Sequence, residues 1–280
     1  IGDSDPIIIK SYELFANLIN SDQVNQQTKE QIMWCISESI KNSKQNISTL
    51  FSSLFELFKS IIYIDNKDGN SQNSIKSVAI YGLAHLCNKC PTLFAPFAED
   101  FAKFIVSNVS QAISQLSSEP QNENTSINID ESLITQCINA YFYIVENVQD
   151  AAYSSIAQMI DILIQICQIS DPRLTNEIQI SSVTGNISIQ NIALRVLCGC
   201  SSKYPAILQN IIQQLLTIIN DNLSYHSAVG INWIASSITS LPNRAEVVPQ
   251  LVNILLKMID KSNDYQLTAK CFESLIILIE

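Results

Sequence analysis

Glycine is scarce in this chain of 280 residues: six in all, at positions 2, 69, 82, 185, 199 and 230, each standing alone. A phosphate-cradling loop needs several glycines within a few residues so that backbone N–H groups can close on the anion, and no such cluster exists. Histidine is scarcer still, with only His85 and His226. There is no G-x-S-x-G elbow, and two histidines leave few bases to activate a nucleophile. Charge is thin: Lys and Arg number 16 and Asp and Glu 26, together 15% of the chain, for a net charge of −10. The basic residues form no run, which argues against direct binding to nucleic-acid phosphates. No apolar stretch reaches the length of a bilayer span and no signal-peptide pattern is present, so no membrane insertion is expected and an intracellular, soluble protein is. The carboxylate pairs Glu99–Asp100 and Asp130–Glu131 read as solvated surface or helix N-terminal charges. The chain is therefore expected to have no catalytic residues, to hold no cofactor or metal, and not to be an enzyme.

What the chain has is apolar surface, 47% of its residues, laid out with one period. Ile189, Ile192, Ala193, Val196, Leu197 and Cys200 fall at i, +3, +4, +7, +8 and +11, one stripe of a helix. Pro205 then opens a second helix on which Leu208, Ile211, Ile212, Leu215, Leu216 and Ile219 repeat the spacing, with Gln209, Asn210, Gln213, Gln214 and Thr217 as a wet face between them. Two amphipathic helices joined by a tight corner cannot bury their stripes alone, so neighbouring hairpins must stack. The same pattern predicts helices at about 6–20, 26–42, 46–63, 73–89, 92–116, 130–147, 150–168, 187–203, 205–220, 224–240, 244–260 and 264–280.

These pair into hairpins at about 26–63, 73–116, 130–168, 187–220 and 224–260, with partial repeats at both ends. The expected fold is all-α: an α-solenoid of stacked HEAT-like antiparallel hairpins, forming a right-handed superhelix over residues 1–280 as a single array. First helices carry small residues where axes approach (Ala79 and Gly82, Ala193, Ala228, Ala269), while second helices begin at a proline or capping residue and carry long aliphatic and aromatic side chains. The phenylalanines of 51–58 and 94–104 follow core spacing and are expected in the core. Connections at 65–72, 117–130 and 171–186 read as loops, either solvated connectors or partner contacts. Solenoids need polar end caps, and neither the start at Ile1 nor the apolar ending SLIILIE resembles one, so a segment of a longer array is expected.

Most of the eight cysteines (35, 87, 90, 137, 167, 198, 200, 271) fall on apolar stripes, where a free thiol behaves as a small hydrophobe. A reducing compartment fits this usage. His85-Leu-Cys87-Asn-Lys-Cys90 comes nearest to a metal motif, but at 100° per residue His85 and Cys87 point about 160° apart, and no second ligand pair stands at zinc-site spacing. Trp34 and Trp233, both on first helices, are candidate partner anchors, with packing between repeats as the alternative. Glu119, Glu123, Asp130 and Glu131 form an acidic connection that could steer a basic partner.

One segment, SIKSVAIYGLAHLCNKCPTLFAPFAEDFAKFIVSNV, resembles a repeat from the C-terminal half of importin-β-type nuclear transport receptors, the karyopherin-β family. NENTSINIDESLITQCINAYFYIVENV is similar to a long connection and following helix of those receptors, and HSAVGINWIASSITSLPNRAEVVPQLVNILLKMID to another repeat. The tryptophan–asparagine ladder of importin-α-type armadillo proteins is absent: Glu38 follows Trp34 by four residues and Ser237 follows Trp233. The resemblance implies second helices lining an acidic concave surface for basic cargo proteins and first helices presenting apolar grooves to FG-repeat nucleoporins. It also implies release of cargo by the GTPase Ran in its GTP form, and a location in cytoplasm and nucleus. A HEAT-repeat scaffold of a vesicle coat, a phosphatase or a chromosome-organising assembly is the alternative.

Overall fold

A computed structural model describes residues 6–19, 21, 23–44, 47–63, 71–117, 130–179 and 186–279. Over them the chain is all-α apart from one two-residue β ladder, and it forms two compact units that meet between Ser155 and Ile156 in the sequence. None of the described helices is long and apolar enough to cross a membrane.

The first unit runs through α1 (Pro6–Ile19), α2 (Gln26–Asn42), α3 (Phe51–Ile62), α4 (Ser71–Lys89), α5 (Pro91–Ser117), α6 (Glu131–Asn147) and the single turn α7 (Gln149–Ala152). Asn25 caps α2 by accepting from the Thr28 N–H, and Asp130 caps α6 by accepting from the Leu133 N–H. Only Cys90 separates α4 from α5. Its N–H bonds back to the Leu86 carbonyl at 2.8 Å, and Pro91 then opens α5 where no helical N–H is required. In this unit α4 packs against α2, α3, α5 and α6. Its burial is accordingly wider than the expected stripe of Ile75, Val78, Ala79, Gly82, Leu83 and Leu86: Ile80, Ala84 and Cys87 are buried as well. A helix covered on several sides must be apolar on several sides.

The second unit runs through α8 (Ile156–Gln168), the turn α9 (Pro172–Thr175), strands β1 (Ile178–Gln179) and β2 (Asn186–Ile187), then α10 (Ile189–Lys203), α11 (Pro205–Asp221), α12 (Tyr225–Ser237), α13 (Arg244–Lys261) and α14 (Tyr265–Ile279). The strands pair antiparallel with Ile178 opposite Ile187. Packed between α8 and α12, α10 buries its expected stripe together with Leu194 and Cys198; α12 in turn packs on α14. On α11, Leu208, Ile212, Leu215, Leu216 and Ile219 are buried and the expected wet face is exposed; Ile218 joins the core, while Ile211 is only half-buried.

Three expected spans differ in detail. The helix expected over 150–168 is interrupted at 153–155, where the Tyr141 hydroxyl meets Ser155 Oγ at 2.9 Å and the Ala152 carbonyl at 3.4 Å. The Ala152 carbonyl, which a continuous helix would use in its own ladder, is taken up here by the Tyr141 and Ser155 hydroxyls and the Ser155 N–H. The connection over 171–186 carries structure: Asp171 caps α9 through the Arg173 N–H and pairs with the Arg173 guanidinium at 2.8 Å. The helix expected from 187 starts at Ile189, because Ser188 caps it by accepting from the Asn191 N–H. Residues 64–70 and 118–129, most of the other two expected loops, lie outside the described residues.

Small residues stand where neighbouring helices come closest. A Cβ on Gly82 would strike the fully buried ring of Phe58 on α3 and come within 2.8 Å of Ser37 Oγ on α2. A Cβ on Gly230 of α12 would come within 2.6 Å of Cys198 Sγ on α10. Alanine improves helix propensity over glycine by about 0.5–1 kcal/mol, whereas overpacking a tight core costs about 1–3 kcal/mol. The packing term should win here because the added Cβ would lie well inside contact distance of an atom of the fully buried Phe58 ring. Gly82→Ala is expected to destabilise the first unit by about 1–2 kcal/mol, read as a lower midpoint in denaturant; an unchanged or raised midpoint would show that the Phe58 ring can yield.

Candidate functional site

The largest aromatic concentration lies between second helices α3 and α5. Phe51 and Phe55, one turn apart on α3, face Phe94, Phe97 and Phe101 on α5. Phe94 meets Phe51 and Phe55 edge-on, at centroid distances of 6.4 and 5.8 Å, and the Phe97 ring lies 4.3 Å from Phe55. Phe51, Phe55, Phe58, Phe94 and Phe101 are core residues as expected, but Phe97 is 37% exposed and Phe104 is half-buried. The reason is angular. On α5 the core row is Phe94, Ala98, Phe101, Ala102 and Ile105, whereas Phe97, Asp100, Phe101 and Phe104 make an i, +3, +4, +7 row on the flank turned toward α3. That second row, with a carboxylate inside an aromatic stripe, was the signal for a surface feature.

Between the helices is an open cleft of about 320 Å³. Leu83, Ile62 and Phe101 line it together with Phe55 and Phe97, and Tyr63, Lys59 and Asp100 bring polar groups to it. Lys59 is engaged, with its ammonium 3.6 Å from Glu56 Oε1 and 5.8 Å from the Phe55 ring centroid. Lys103, one turn along α5, is 2.7 Å from Glu99 Oε1. Asp100 makes no ion pair or hydrogen bond among the described residues. Burial and then the Asp100 charge push the Tyr63 hydroxyl pKa up, so the phenol stays a neutral donor.

The candidate anchor Trp34 is half-buried and belongs to a ladder across the first helices. Its ring stacks on Tyr81 of α4 at 5.1 Å and 8°; Tyr81 meets His85 edge-on at 4.4 Å, and His85 meets Tyr143 of α6 at 5.3 Å. The Tyr81 hydroxyl donates to Glu38 Oε1 at 2.6 Å, and Glu38 also takes Lys41 at 3.3 Å and Asn42 at 3.1 Å. One face of Trp34 is thus occupied by its neighbour repeat. Trp233 is half-buried on α12. Of the acidic connection, Asp130 is the N-cap of α6, Glu131 lies in its first turn, and Glu119 and Glu123 fall outside the described residues. Asp130 also borders a smaller polar cleft of about 190 Å³, lined by Asn73, Asn108 and Gln111 among others.

The residues of the metal-like motif are drawn into packing. His85 is buried between Tyr81 and Tyr143, Cys87 Sγ donates to the Tyr143 carbonyl at 3.7 Å, and Cys90 is buried at the α4–α5 corner. Among the described residues no group of three or more His, Cys, Asp or Glu is placed to hold a metal ion. Seven cysteines are buried free thiols and Cys35 is exposed. Burial pushes Cys87, Cys137 and Cys167 up to about 12, which keeps them protonated and weakly nucleophilic.

Both histidines are depressed from 6.5 to about 4. Burial is the main cause, aided at His85 by the Lys41 charge and at His226 by Arg195. His85 Nε2 and His226 Nδ1 have no hydrogen-bond partner among the described residues. A histidine that stays neutral in the fold and protonates when unfolded makes the unfolded chain take up extra protons between the two pKa values. Stability is expected to be flat from about pH 6.5 up to the alkaline range where thiols of the unfolded chain ionise, and to fall between 6.5 and 4, beginning above the range where carboxylates titrate. Denaturant midpoints at about pH 7 and about pH 5 test this. His85→Leu should shrink the difference, and equal midpoints for the unaltered chain would mean the histidines are charged or exposed.

Comparison with protein-family models and with curated proteins finds no match to this chain.

Proposed function

We propose that this chain is a protein-binding segment of stacked helical repeats, and that its specific role is that of an importin-β-type nuclear transport receptor carrying protein cargo through nuclear pores. The observation that carries the binding role is the open aromatic cleft between α3 and α5, with Phe97 exposed in its wall. A partner side chain placed there would be desolvated against aromatic rings, the environment in which interface anchors gain most of their energy. The specific role is supported by the resemblance of the segments around α4–α5, α6 and α12–α13 to receptor repeats. On this reading the partners are basic cargo proteins, FG-repeat nucleoporins and Ran, the work is binding and not catalysis, and the protein acts in cytoplasm and nucleus. The chain's net charge of −10 suits a basic cargo.

Immobilised FG-repeat peptides should retain the protein, and peptides with Phe replaced by Ser should not. Retention by neither would turn the proposal toward a scaffold subunit of another assembly. Charge gives a second expectation. Replacing Glu119, Glu123, Asp130 and Glu131 by their amides should slow association with a basic cargo several-fold at low ionic strength, with the difference fading as salt is added. The fold should survive, because asparagine caps a helix about as well as aspartate does at position 130. Unchanged association rates at low salt would remove this connection from the encounter surface.

A further inference from the structure

We propose that the cleft between α3 and α5 takes an aromatic side chain of a partner polypeptide whose adjacent residue is arginine or lysine, with Asp100 as the group that selects the cation. This rests on the protein-binding reading and names the chemistry of its partner.

Size argues for one ring. An apolar cavity of about 150 Å³ is enough to hold a benzene molecule, so the 320 Å³ here accommodates one aromatic side chain and part of the neighbouring residue. The surroundings argue for a polymer. Leu93 is 41% exposed, Phe97 37% and Tyr63 52%, and the Tyr63 and Phe104 rings are 5.3 Å apart. From Leu93 to Phe104 this apolar track follows α5 for roughly 16 Å at 1.5 Å per residue, the reach of about five extended residues at roughly 3.3 Å each. A compact small molecule would fill the cleft and leave the rest of the track wet.

Charge then chooses the neighbour. The side chains around the cleft include two lysines, each already engaged: Lys59 with Glu56 and the face of Phe55, Lys103 with Glu99. Asp100 lines the same cleft and makes no ion pair among the described residues; the charge of Lys103 reaches it, but that ammonium is held by Glu99, so the carboxylates of Glu56, Glu99 and Asp100 outnumber the two lysines around the ring site. A guanidinium or ammonium next to the bound ring meets the Asp100 carboxylate, whereas an acidic neighbour is repelled by it. Arg also stacks on aromatic faces and Phe97 offers one, so Arg should be preferred to Lys.

Fluorescence anisotropy with short labelled peptides tests the assignment, using the whole 280-residue chain. The probes are a peptide with one Phe flanked by Arg, the same peptide with Gln for Arg, with Glu for Arg, and with Ala for Phe. The Arg–Phe peptide should bind several-fold more tightly than the Gln–Phe peptide, and the Ala peptide should bind at least about tenfold more weakly. Asp100→Asn should erase the Arg-over-Gln preference and leave Gln–Phe binding unchanged. Asp100→Lys, at an exposed position that does not threaten the fold, should favour the Glu–Phe peptide. Phe97→Ala should weaken all Phe peptides, with circular dichroism and melting confirming that the variant is folded. Equal binding of the Arg and Gln peptides, or affinities that ignore both Asp100 and Phe97, would overturn the assignment. If the variants still bind FG-repeat peptides or basic cargo normally, the cleft is lost as the site while the protein-binding reading stands.

Discussion

Close approach of helices around α4 is the constraint on which the first unit rests. Gly82 leaves no room for even a methyl group between α4, the Phe58 ring of α3 and Ser37 of α2. With α2 and α6 packing alongside and α3 and α5 packing against it as well, α4 is enclosed, so its apolar residues run round most of its circumference. In the second unit α10 has a similar position between α8 and α12, and Gly230 of α12 fits against Cys198. Interiors are packed to crystal-like density, so an added methylene at such a contact must displace a neighbour.

Enclosure of the first helices decides which surfaces the second helices expose. In the first unit the core rows of α3 and α5 pack against α4, phenylalanine rings of the two helices meet, and the flank beside that core is left partly open. Phe97, Leu93 and Tyr63 fall on it. Proline assists the geometry. Pro96 on α5 removes one ladder hydrogen bond, and Pro249 on α13 does the same six residues into that helix; both are exposed, so the freed carbonyls are not trapped in the core by the prolines themselves. Exposed aromatics therefore stand beside Asp100, a carboxylate with no ion pair among the described residues.

The polar groups inside the helix rows are organised differently. Trp34, Tyr81, His85 and Tyr143 form a continuous ladder over three successive first helices, and Glu38 gathers Tyr81, Lys41 and Asn42 at one end of it. Burial alone would raise Glu38, but the hydrogen bonds from Tyr81, Lys41 and Asn42 and the Lys41 charge together hold it below its usual range, while burial and then the contact with Glu38 push the Tyr81 hydroxyl far up. His85 has no such partner at Nε2 among the described residues, and its neutrality comes from burial above all. One polar residue is tied down by charge-assisted bonds and the next is held by desolvation.

Helix positions were legible in the sequence because they depend on local information: spacing at 3.6 residues and prolines such as Pro205 at helix starts, whereas Ser188 and Ser224, expected inside their helices, cap them instead. The Gln-rich wet face of α11 and the small residues at 79 and 82 were legible for the same reason. What one period cannot express is how many sides of a helix are covered. That is why Ile80, Ala84 and Cys87 of α4, and Leu194 and Cys198 of α10, lie off their expected stripes and are buried. The break at 153–155 depends on a hydroxyl from Tyr141, on another helix, and local propensity does not contain it. Phe97 departs from its expected burial for the converse reason: it satisfies the apolar spacing, but only the angle between α3 and α5 determines that its row is a flank and not the core. The sequence by itself determined the all-α class and the place of each long helix, though not every end, since those depend on interactions a few residues apart. The cleft, the place of Asp100 in its wall and the enclosure of His85 were decided by tertiary structure alone, because each is made of residues from helices that meet only when the chain is packed.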